Sequence, residues 1–558
     1  MRKRPKLKIV SLALATMLAG CGGSQNFVFT GPLAAPPVAV DDTVAALGNA
    51  ILNQTIANGV LNNDTINGAT ITEFDASTAQ GGTVVLNEDG SFQYTAPFGF
   101  TGSDSFTYTL SNDGGSSTAT VTLNIDALAF FVDNSGPNGN GSQSSPFDNL
   151  SDALAAVGSG DTIFVYRGDG LTTKQDGSFT LPAGVNLIGQ AQGLVAAQTI
   201  EVPGGRPVLQ GPITLGGDNL VAGLRMESST GVFLTASGVE NLSVDNNEFS
   251  APNTQHILLT DVGGTLAITN NVFEPHSVAT DVDYVEVNNT NTDATIVVTG
   301  NVFNDDAVSE PDDAFSMTLN GTSVLTATFQ SNTFSGEDPE AAFEHGIGLV
   351  TNDSSRADIL VDDNSSINAV ERFFSLECND DSAVTASITG NTADGSGKDM
   401  IRIDAGSTIT TEVIVSGNVI SGSDQSAFDI DNPGSGSFRA LIENNDFSAS
   451  NDADISINFY EGFTISTAFI RSNTLSGQNS SIDIEKDTNL DPCVEITGNT
   501  VSDDMVFRDE GGTGSLRVEQ FDIATGGPLT SINTFLPPAG IDGGNVVTAV
   551  LDNTCGAP

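Results

Sequence analysis

Three aspartates in two copies of one short pattern are the residues of this chain best placed to bind a cation. Arg402 and Asp404 alternate in the segment DMIRIDA, and Asp429 and Asp431 alternate in AFDIDNP, 27 residues later. Alternate residues of a strand share a face, so these side chains should lie together on an outward surface. Asp404, Asp429 and Asp431 could then share one calcium ion, because calcium prefers oxygen ligands.

A second interpretation of these residues involves no metal. Arg402 and Asp429 should be neighbours on adjacent repeats, which gives a solvated acidic face with one salt bridge. A later repeat carries Asp483 and Glu485 at the corresponding outward positions, where they could extend a ligand-binding face together with Arg402. Calcium is the one cofactor that the sequence suggests, and both interpretations stay open.

The three histidines of the chain show no spacing typical of a catalytic pair. His256, His276 and His345 fall in different repeats and at different points of the repeat. A catalytic histidine base needs an orienting partner, and the spacing indicates none. We therefore expect each histidine to be a surface residue, and the catalytic residues, if the chain is an enzyme, are not identified.

The segments that carry these residues belong to a repeat with a period near 27 residues. Each copy contains the pattern apolar-x-apolar-x-(Gly/Asn/Ser/Asp)-Asn, as in VDNNEF, ITGNTA and ITGNTV, and a second strand-like segment follows it. A fixed period between 20 and 50 residues indicates a repeat architecture. Because no copy has a helical pattern, the sequence predicts an all-β chain whose bulk, residues 128–510, is a right-handed parallel β-helix with about 27 residues per turn.

The asparagine that ends each copy of the pattern has a structural explanation. Asparagine tolerates the left-handed conformation that a turn between strands requires. Stacked amides at one position per turn can also hydrogen-bond along the axis as a ladder. The predicted ladder residues are Asn247, Asn271, Asn301, Asn332, Asn364, Asn391, Asn418, Asn445, Asn473 and Asn499. The phenylalanines two residues after the first four of them should stack inside the coil in the same way.

Both ends of the coil should be capped. Residues 130–170 contain a strand, a Gly-rich loop, an amphipathic helix over 148–157 and a further strand. This order closely resembles the start of pectate-lyase-like β-helix proteins, where the helix covers the open end of the coil. The resemblance implies a fold that many polysaccharide lyases and hydrolases share, but a fold alone does not transfer function. Residues 511–558 lack the asparagine period and should form a C-terminal cap and tail.

A separate domain precedes the coil over residues 38–126. Segments such as DGSFQYT and GSDSFTY alternate apolar and polar residues between Gly-rich turns, which predicts a β-sandwich. These segments resemble the cadherin-like (immunoglobulin-like) domains of bacterial surface proteins. The resemblance implies a spacer or adhesive module, some members of which bind calcium between tandem copies. We expect its aspartates Asp41, Asp42, Asp64 and Asp104 to be turn residues.

The first 20 residues predict export. Five basic residues precede the apolar run from Ile9 to Ala19, which is too short to span a bilayer and is typical of a secretory signal. The run ends in Leu-Ala-Gly-Cys, which resembles the lipobox of bacterial lipoproteins and implies a diacylglycerol on Cys21. Gly22 does not resemble an inner-membrane retention signal, so the outer membrane is the expected location. Residues 21–37 read as a tether.

Charge and cysteine content constrain the partners. The chain has 70 Asp and Glu residues against 18 Lys and Arg residues, so it should repel nucleic acid and anionic lipid. Beyond Cys21 it has Cys378, Cys493 and Cys555. The first two should lie four to five turns apart, too far for a disulfide. We expect Cys493 and Cys555 to pair and Cys378 to be free, with three separate thiols as the alternative.

These observations favour a cell-surface lipoprotein that is non-catalytic, with an adhesive, polysaccharide-binding or structural role in the envelope. The expected partners are the membrane, reached through the lipid, and a polysaccharide or another surface protein. The alternative is a polysaccharide lyase or hydrolase that acts on an extracellular glycan. A grooved outer face with clustered aromatics and carboxylates would favour binding or cleavage, whereas a smooth face of Thr, Ser and Asp would favour a structural role. The sequence shows few outward aromatic residues, which favours a structural role or weak binding.

The lipid anchor is directly testable. Replacing Cys21 by Ala should move the protein from the membrane fraction to the soluble fraction, because the acyl chains supply the membrane affinity. Fractionation followed by immunoblotting measures the distribution, and an unchanged membrane fraction would contradict the anchor.

Overall fold

The computed structural model describes residues 34–195, 199–227, 231–250, 254–276, 282–305, 313–336, 343–396, 398–432, 435–448, 450–459, 465–487, 492–501, 505–511, 517–521, 524–525, 534–535 and 548–549. In this structure an Ig-like domain precedes a right-handed parallel β-helix of about 11 turns with rungs of about 27 residues. The predicted fold class is therefore confirmed.

The N-terminal domain is a sandwich of two sheets. One sheet contains, in spatial order, Thr70–Phe74, Gly102–Asn112, Gly115–Val132 and Asp42–Gly48, and the other contains Ile51–Gln54, Phe92–Thr95 and Thr83–Leu86. A 3-10 turn covers Ile56–Asn58. Alternate residues such as Phe92, Tyr94, Phe106 and Tyr108 are buried between the sheets, as the alternation of the sequence requires.

One long strand joins the sandwich to the coil. Gly115–Val132 pairs with its sandwich neighbours through its first part, and its last residues, Ala129 to Val132, pair in parallel with Thr162–Val165. The strand therefore crosses the domain boundary that the sequence predicted between 126 and 128. Phe131 and Phe164 pack with Ala50 of the sandwich in one apolar cluster at the joint. The two domains thus share a strand and a core, which makes the joint stiff.

The predicted cap helix is present over Leu150–Ala156. Asn149 is its N-cap, because its side chain accepts a hydrogen bond from the backbone N–H of Asp152 at 2.9 Å. Leu150 and Ala153 are fully buried against the first turn of the coil. The helix therefore covers the apolar cross-section that the first turn would otherwise expose.

Each turn of the coil contributes strands to three parallel sheets, where the sequence predicted two main strands. Sheet 1 lies before the ladder asparagine and contains Thr162–Val165, Asn186–Gly189, Asn219–Ala222, Glu240–Asp245, Gly263–Thr269, Ala294–Thr299, Val324–Gln330, Arg356–Asp362, Ala383–Thr389, Thr410–Ser416, Ser437–Glu443, Ile465–Arg471, Cys493–Thr497, Arg517–Phe521 and Thr548–Ala549. Sheet 2 follows the asparagine and contains Val208–Leu209, Arg225–Glu227, Glu248–Ser250, Val272–Phe273, Val302–Asn304, Thr333–Ser335, the start of Ser365–Cys378, Thr392–Ser396, Val419–Ser423, Asp446–Ser448, Thr474–Ser476, Thr500–Val501 and Ala524–Thr525.

Sheet 3 follows the loops that leave sheet 2. It contains Phe179–Leu181, Ile213–Leu215, Leu234–Ser237, Ile257–Thr260, Val285–Thr290, Asp313–Asn320, Phe343–Thr351, the end of Ser365–Cys378, Ile401–Ala405, Phe428–Asn432, Ala453–Phe459, Ser480–Asp487, Met505–Gly511 and Thr534–Phe535. A small antiparallel hairpin, Leu194–Val195 with Thr199–Glu201, lies outside the three sheets.

Equivalent residues of successive turns lie directly above one another. In sheet 2, Phe249, Phe273, Phe303 and Phe334 are in register, and their ring centroids are 5.0, 4.7 and 5.1 Å apart with nearly parallel planes. All four rings are buried. Apolar residues therefore form continuous columns inside the coil.

The ten repeat asparagines form one buried hydrogen-bonded ladder. The backbone N–H of Asn391 donates to Asn418 Oδ1 at 3.0 Å, and the Nδ2 of Asn391 donates to the same oxygen at 2.9 Å. A further bond runs from this Nδ2 to the carbonyl oxygen of Val361 on the preceding turn. The pattern repeats at every step from Asn247 to Asn499 with N–H distances of 2.8 to 3.0 Å.

The left-handed residue of the turn is not the ladder asparagine, and that part of the prediction is wrong. The residue before it has a φ between 53° and 68° in every copy, and these residues are Asn246, Asn270, Gly300, Ser331, Asp363, Gly390, Gly417, Asn444, Ser472 and Gly498. Short polar residues and glycine tolerate this conformation. The turn therefore needs two adjacent residues with different roles. The first adopts the left-handed conformation that turns the chain, and the second forms hydrogen bonds with the buried backbone N–H and carbonyl groups.

Parallel stacking continues beyond the predicted end of the coil at residue 510. Arg517–Phe521 pairs in parallel with Cys493–Thr497, and Thr548–Ala549 pairs in turn with Arg517–Phe521. In these strands the loss of the asparagine motif does not end the pairing of sheet 1.

Removing one amide from the ladder should be costly. Asn391→Ala leaves the buried N–H groups of Asn364 without their acceptor, so the free energy of unfolding should fall by about 3 kcal/mol. Asn451→Ala, at an exposed position in a nearby turn, is the matched control and should change it by less than about 0.5 kcal/mol. Urea unfolding measures both free energies, and equal losses in the two variants would show that the ladder does not contribute specifically to stability.

Candidate functional site

The outward side of sheet 3 carries two columns of charged residues. Register pairing aligns Asp313 with His345 and His345 with Arg372 on three successive turns. A second column aligns Ser375, Arg402 and Asp429. Because each turn contributes one residue to each column, residues about 30 positions apart in the chain lie side by side.

Four carboxylates surround the guanidinium of Arg402. Its Nη1 donates to Asp429 at 2.8 Å and to Asp399 at 3.4 Å, and its Nη2 donates to Asp404 at 3.0 Å and to Asp431. The side chains of Asp399 and Asp429 are only 5% and 8% exposed. The structure thus brings together the three aspartates that the sequence singled out for calcium, with Arg402 in their centre.

This cluster holds more negative charge than its arginine neutralises. Burial, followed by the neighbouring charge of Asp399, raises the pKa of Asp429 to about 7. Burial lowers the pKa of Arg402, but its bonds to Asp404 and the charges of the other aspartates outweigh this and raise the pKa. The guanidinium therefore stays charged. Near neutral pH, partial protonation of Asp429 also reduces the negative charge of the cluster.

Asp483 and Glu485 lie further along the same face. They pair in register with Ser456 and Asn458, which separate them by one turn from Asp429 and Asp431. The six predicted ligand and face residues are therefore in two groups rather than one. Within the described residues, no three His, Cys, Asp or Glu side chains are arranged as a metal site, and calcium binding stays a prediction.

A second cluster, which the sequence did not reveal, contains His345. Its Nδ1 lies 2.7 Å from Asp313 Oδ1, and Arg372 Nη1 lies 3.2 Å from its Nε2. Arginine can only donate, so Nε2 accepts, and the proton of the neutral ring is on Nδ1 and points to Asp313. Gly348 leaves room for this contact, because a Cβ there would lie 2.2 Å from Asp313 Oδ2.

Asp283 completes this second cluster on the preceding turn. The backbone N–H of Asp313 donates to Asp283 Oδ1 at 3.0 Å. Burial, followed by the charge of Asp313, raises the pKa of Asp283 to about 7. Burial also raises the pKa of Asp313, against the hydrogen bond and charge of His345, which lower it. Near neutral pH this pair of carboxylates therefore carries a proton, as a general acid and its partner would.

The expectation of surface histidines is wrong for two of the three. His256 and His276 are 0% and 3% exposed, and their ring centroids are 5.1 Å apart. Tyr284 packs against both rings at 4.4 and 4.5 Å. The side chain of His345 is 18% exposed, so it too is largely covered. His256 and His276 lie outside the strands, where the alternation of buried and exposed residues does not predict burial.

The cysteines can be placed only in part. Cys378 is a buried free thiol, and burial raises its pKa to about 12. Cys493, at the start of its sheet 1 strand, is disulfide-bonded. Cys555 lies outside the described residues, as does Cys21, so the pairing of Cys493 with Cys555 and the lipidation of Cys21 stay predictions.

The aspartates of the sandwich are hydrogen-bond acceptors of its core rather than turn residues alone. Asp104 lies within a strand, is 2% exposed, and accepts hydrogen bonds from Tyr94 Oη and the backbone N–H of Gln80. Asp64 accepts from the hydroxyl of Tyr108 at 2.8 Å. The turn assignment is therefore wrong for Asp104, because its carboxylate satisfies buried donors.

Comparison with known proteins identifies the first domain. Residues 34–124 match the family model of the bacterial Ig domain. The search of curated proteins and the search of solved structures each returned no match. Among the described residues, no helix is long and apolar enough to cross a membrane.

Arg402 should be essential to its cluster. Arg402→Met leaves Asp399 and Asp429 buried without their cation, so the free energy of unfolding should fall by about 3 kcal/mol at pH 8. The loss should shrink as the pH falls through 7, because Asp429 has a raised pKa and its charged form is the costly one.

Calcium tests the other interpretation of the cluster. If the aspartates bind calcium in the native chain, chelation should lower its melting temperature. If calcium stabilises only the Arg402→Met variant, the ion takes the place of the missing guanidinium and the native cluster does not bind it.

Arg356→Met, at an exposed position on sheet 1, is the matched control for the loss of stability in Arg402→Met. A loss equal to that of the control would contradict the central role of Arg402.

Proposed function

We propose that this chain is an outer-membrane lipoprotein that presents a β-helix at the cell surface, where the outward face of sheet 3 binds a polysaccharide. The combination of an Ig-like domain with a β-helix is typical of surface and adhesion proteins. The N-terminal segment supports export and lipidation at Cys21. The acidic composition disfavours nucleic acid as a partner, because the chain would repel the phosphate backbone.

The joint between the domains supports a display function. A flexible linker would let the coil fold back on the membrane, whereas the shared strand Gly115–Val132 prevents free rotation. Hydrogen bonds reinforce the joint, since Gln143 accepts from the backbone N–H of Ile51 and donates to Glu201. The sandwich is therefore suited to hold the coil at a set orientation.

The contrast between the outer faces of two sheets carries the proposal of a binding surface. In sheet 1 the outward column that contains Thr265, Thr295, Thr326 and Thr385 is exposed and mostly uncharged. In sheet 3 the outward positions include Glu286, Glu377 and the charged residues of the two clusters, interspersed with serines, and the cluster residues Asp399 and Asp429 are recessed. A recessed row of hydrogen-bonding groups repeated along an axis suits a polymer with a repeating unit.

Hydrolysis of a bound glycan is the second candidate function. The observation that favours it is the pair Asp283 and Asp313, in which burial raises the pKa of both carboxyl groups. Glycosidases use one protonated and one ionised carboxyl group at the cleaved bond. His345 orients Asp313, as the partner of a catalytic base would.

Matched variants on the two faces test binding. Glu286→Gln with Glu377→Gln removes two charges from sheet 3 and should weaken polysaccharide binding at least fivefold, because each lost charged hydrogen bond costs about 1 kcal/mol or more. Asp358→Asn with Glu412→Gln makes the same change on sheet 1 and should have no effect. Calorimetry with acidic and neutral glycans, with and without calcium, provides the measurement, and equal effects of the two double variants would refute a sheet 3 site.

Asp283→Asn separates the two candidates. In a binding protein the affinity should change little and no sugar is released by either form. In a hydrolase the release of reducing ends should fall about 100-fold or more, since a general acid contributes that much. Absence of any released sugar from the native chain with every glycan that it binds would exclude hydrolysis.

A further inference from the structure

The buried histidine pair holds together two consecutive loops between sheet 2 and sheet 3. His276 comes shortly after strand Val272–Phe273 of sheet 2, and His256 directly precedes strand Ile257–Thr260 of sheet 3. The two residues belong to loops of neighbouring turns, and their rings meet in the interior with centroids 5.1 Å apart. The pair therefore links one loop to the next along the axis.

The surroundings of the pair are almost entirely apolar. The ring of His256 packs edge-on against Phe249 and Phe273, and Tyr284 covers both imidazoles. The hydroxyl of Tyr284 donates to the carbonyl of Asn304, so it is not available to a histidine. His256 Nε2 lies 3.0 Å from the carbonyl oxygen of Glu274, which requires a proton on Nε2 and leaves the neutral ring with Nδ1 bare.

Among the described residues, no carboxylate charge acts on either ring. The titratable groups on the elements that contact the pair are Glu274, two residues before His276, Tyr284 with Asp283 and Glu286 on its strand, and the buried Asp305 on the following turn. None of these carboxylates contributes to the pKa shift of His256 or His276, and His256 Nδ1 and both ring nitrogens of His276 are buried without a hydrogen bond. A proton on either ring would therefore be a buried charge without a counterion, which a folded interior does not tolerate.

We propose that His256 and His276 form an acid-sensitive clamp, and that their protonation opens strands Ile257–Thr260 and Val285–Thr290 of sheet 3 while the rest of the coil stays folded. The proposal is independent of the polysaccharide-binding function. Opening would also separate the carboxylate pair of the second cluster, because Tyr284 is the chain neighbour of Asp283 and its backbone N–H donates to Asp313. Acidification would thus dismantle that part of the sheet 3 face.

The direction of the effect follows from the protonation states. Burial lowers the pKa of His276 to about 4, and burial together with the neighbouring His276 lowers the pKa of His256. A histidine with a lowered pKa stabilises the closed form above pH 6.5 and loses that contribution as the pH falls toward the lowered value. At pH 5 each histidine should favour the open form roughly 30-fold, and the two together about 1000-fold.

Raised carboxyl pKa values act in the opposite direction. Asp283 has a raised pKa, so acidification stabilises its folded environment, and that contribution disappears as the pH rises through 7. The pH dependence of the native chain alone therefore mixes two effects. A variant that removes only the histidines separates them.

Hydrogen exchange of the purified full chain at pH 7.5, 6 and 5 tests the clamp. After correction for intrinsic rates, amides of Ile257–Thr260 and Val285–Thr290 should exchange at least 30-fold faster at pH 5 than at pH 7.5. Amides of Thr410–Ser416 and Ser437–Glu443, in turns remote from any histidine, should not change. In parallel, NMR of chains with 13C-labelled histidine follows the three rings individually, with His345→Gln used to assign the signals.

The decisive comparison uses His256→Phe with His276→Phe, which keeps aromatic rings at both positions and removes both titrations. The acid-induced exchange should disappear in this variant. Persistence of the same exchange, or titration of either native ring near pH 6.5 without local opening, would overturn the proposal. If the double variant does not fold, the NMR titration of the unmodified chain decides between these outcomes.

Discussion

One interaction governs the architecture of the coil, namely the hydrogen bonding of a buried asparagine to the equivalent asparagine of the next turn. Each side-chain oxygen accepts two N–H groups from the preceding turn, and each Nδ2 also binds a backbone carbonyl. A slip of one residue in any turn would place this amide against apolar side chains and leave these donors unsatisfied, at about 1 to 3 kcal/mol each. The ladder therefore sets the register of all three sheets at once.

A register set in this way has an electrostatic consequence. Columns of equivalent residues bring carboxylates of successive turns to within about 5 Å of each other, and the chain has 70 acidic residues to place. On an exposed sheet, water and dissolved ions screen the repulsion between neighbouring carboxylates, but on the recessed face of sheet 3 this screening is weak. There, scarce cations lie between the carboxylates, as Arg402 does among its four aspartates, and protons supply the remaining neutralisation at Asp283 and Asp429.

The features that could be predicted from the sequence are those that recur at a constant spacing along the chain. The asparagine recurs in every turn, so its period revealed the coil and the alignment of Arg402 with Asp429. The strand of sheet 2 has only two to five residues and directly follows the asparagine, so the sequence did not distinguish it from the asparagine motif. Asp313 and His345 were missed because the preceding loop varies in length. Counting back two residues from the first core position of each sheet 3 strand, instead of forward from the asparagine, aligns Asp283, Asp313, His345, Arg372 and Asp399.

The repeat also explains how a fold can retain a pair of uncompensated imidazoles. In a globular domain with one cooperative core, the cost of two buried histidines would lower the stability of the whole. In a coil each turn contacts only its neighbours, so stability is close to a sum of local terms and a weak turn opens by itself. The N-terminal end is closed by the shared strand and the helix Leu150–Ala156, which keeps opening from spreading to the joint. A local weakness in this architecture is therefore compatible with a stiff arm.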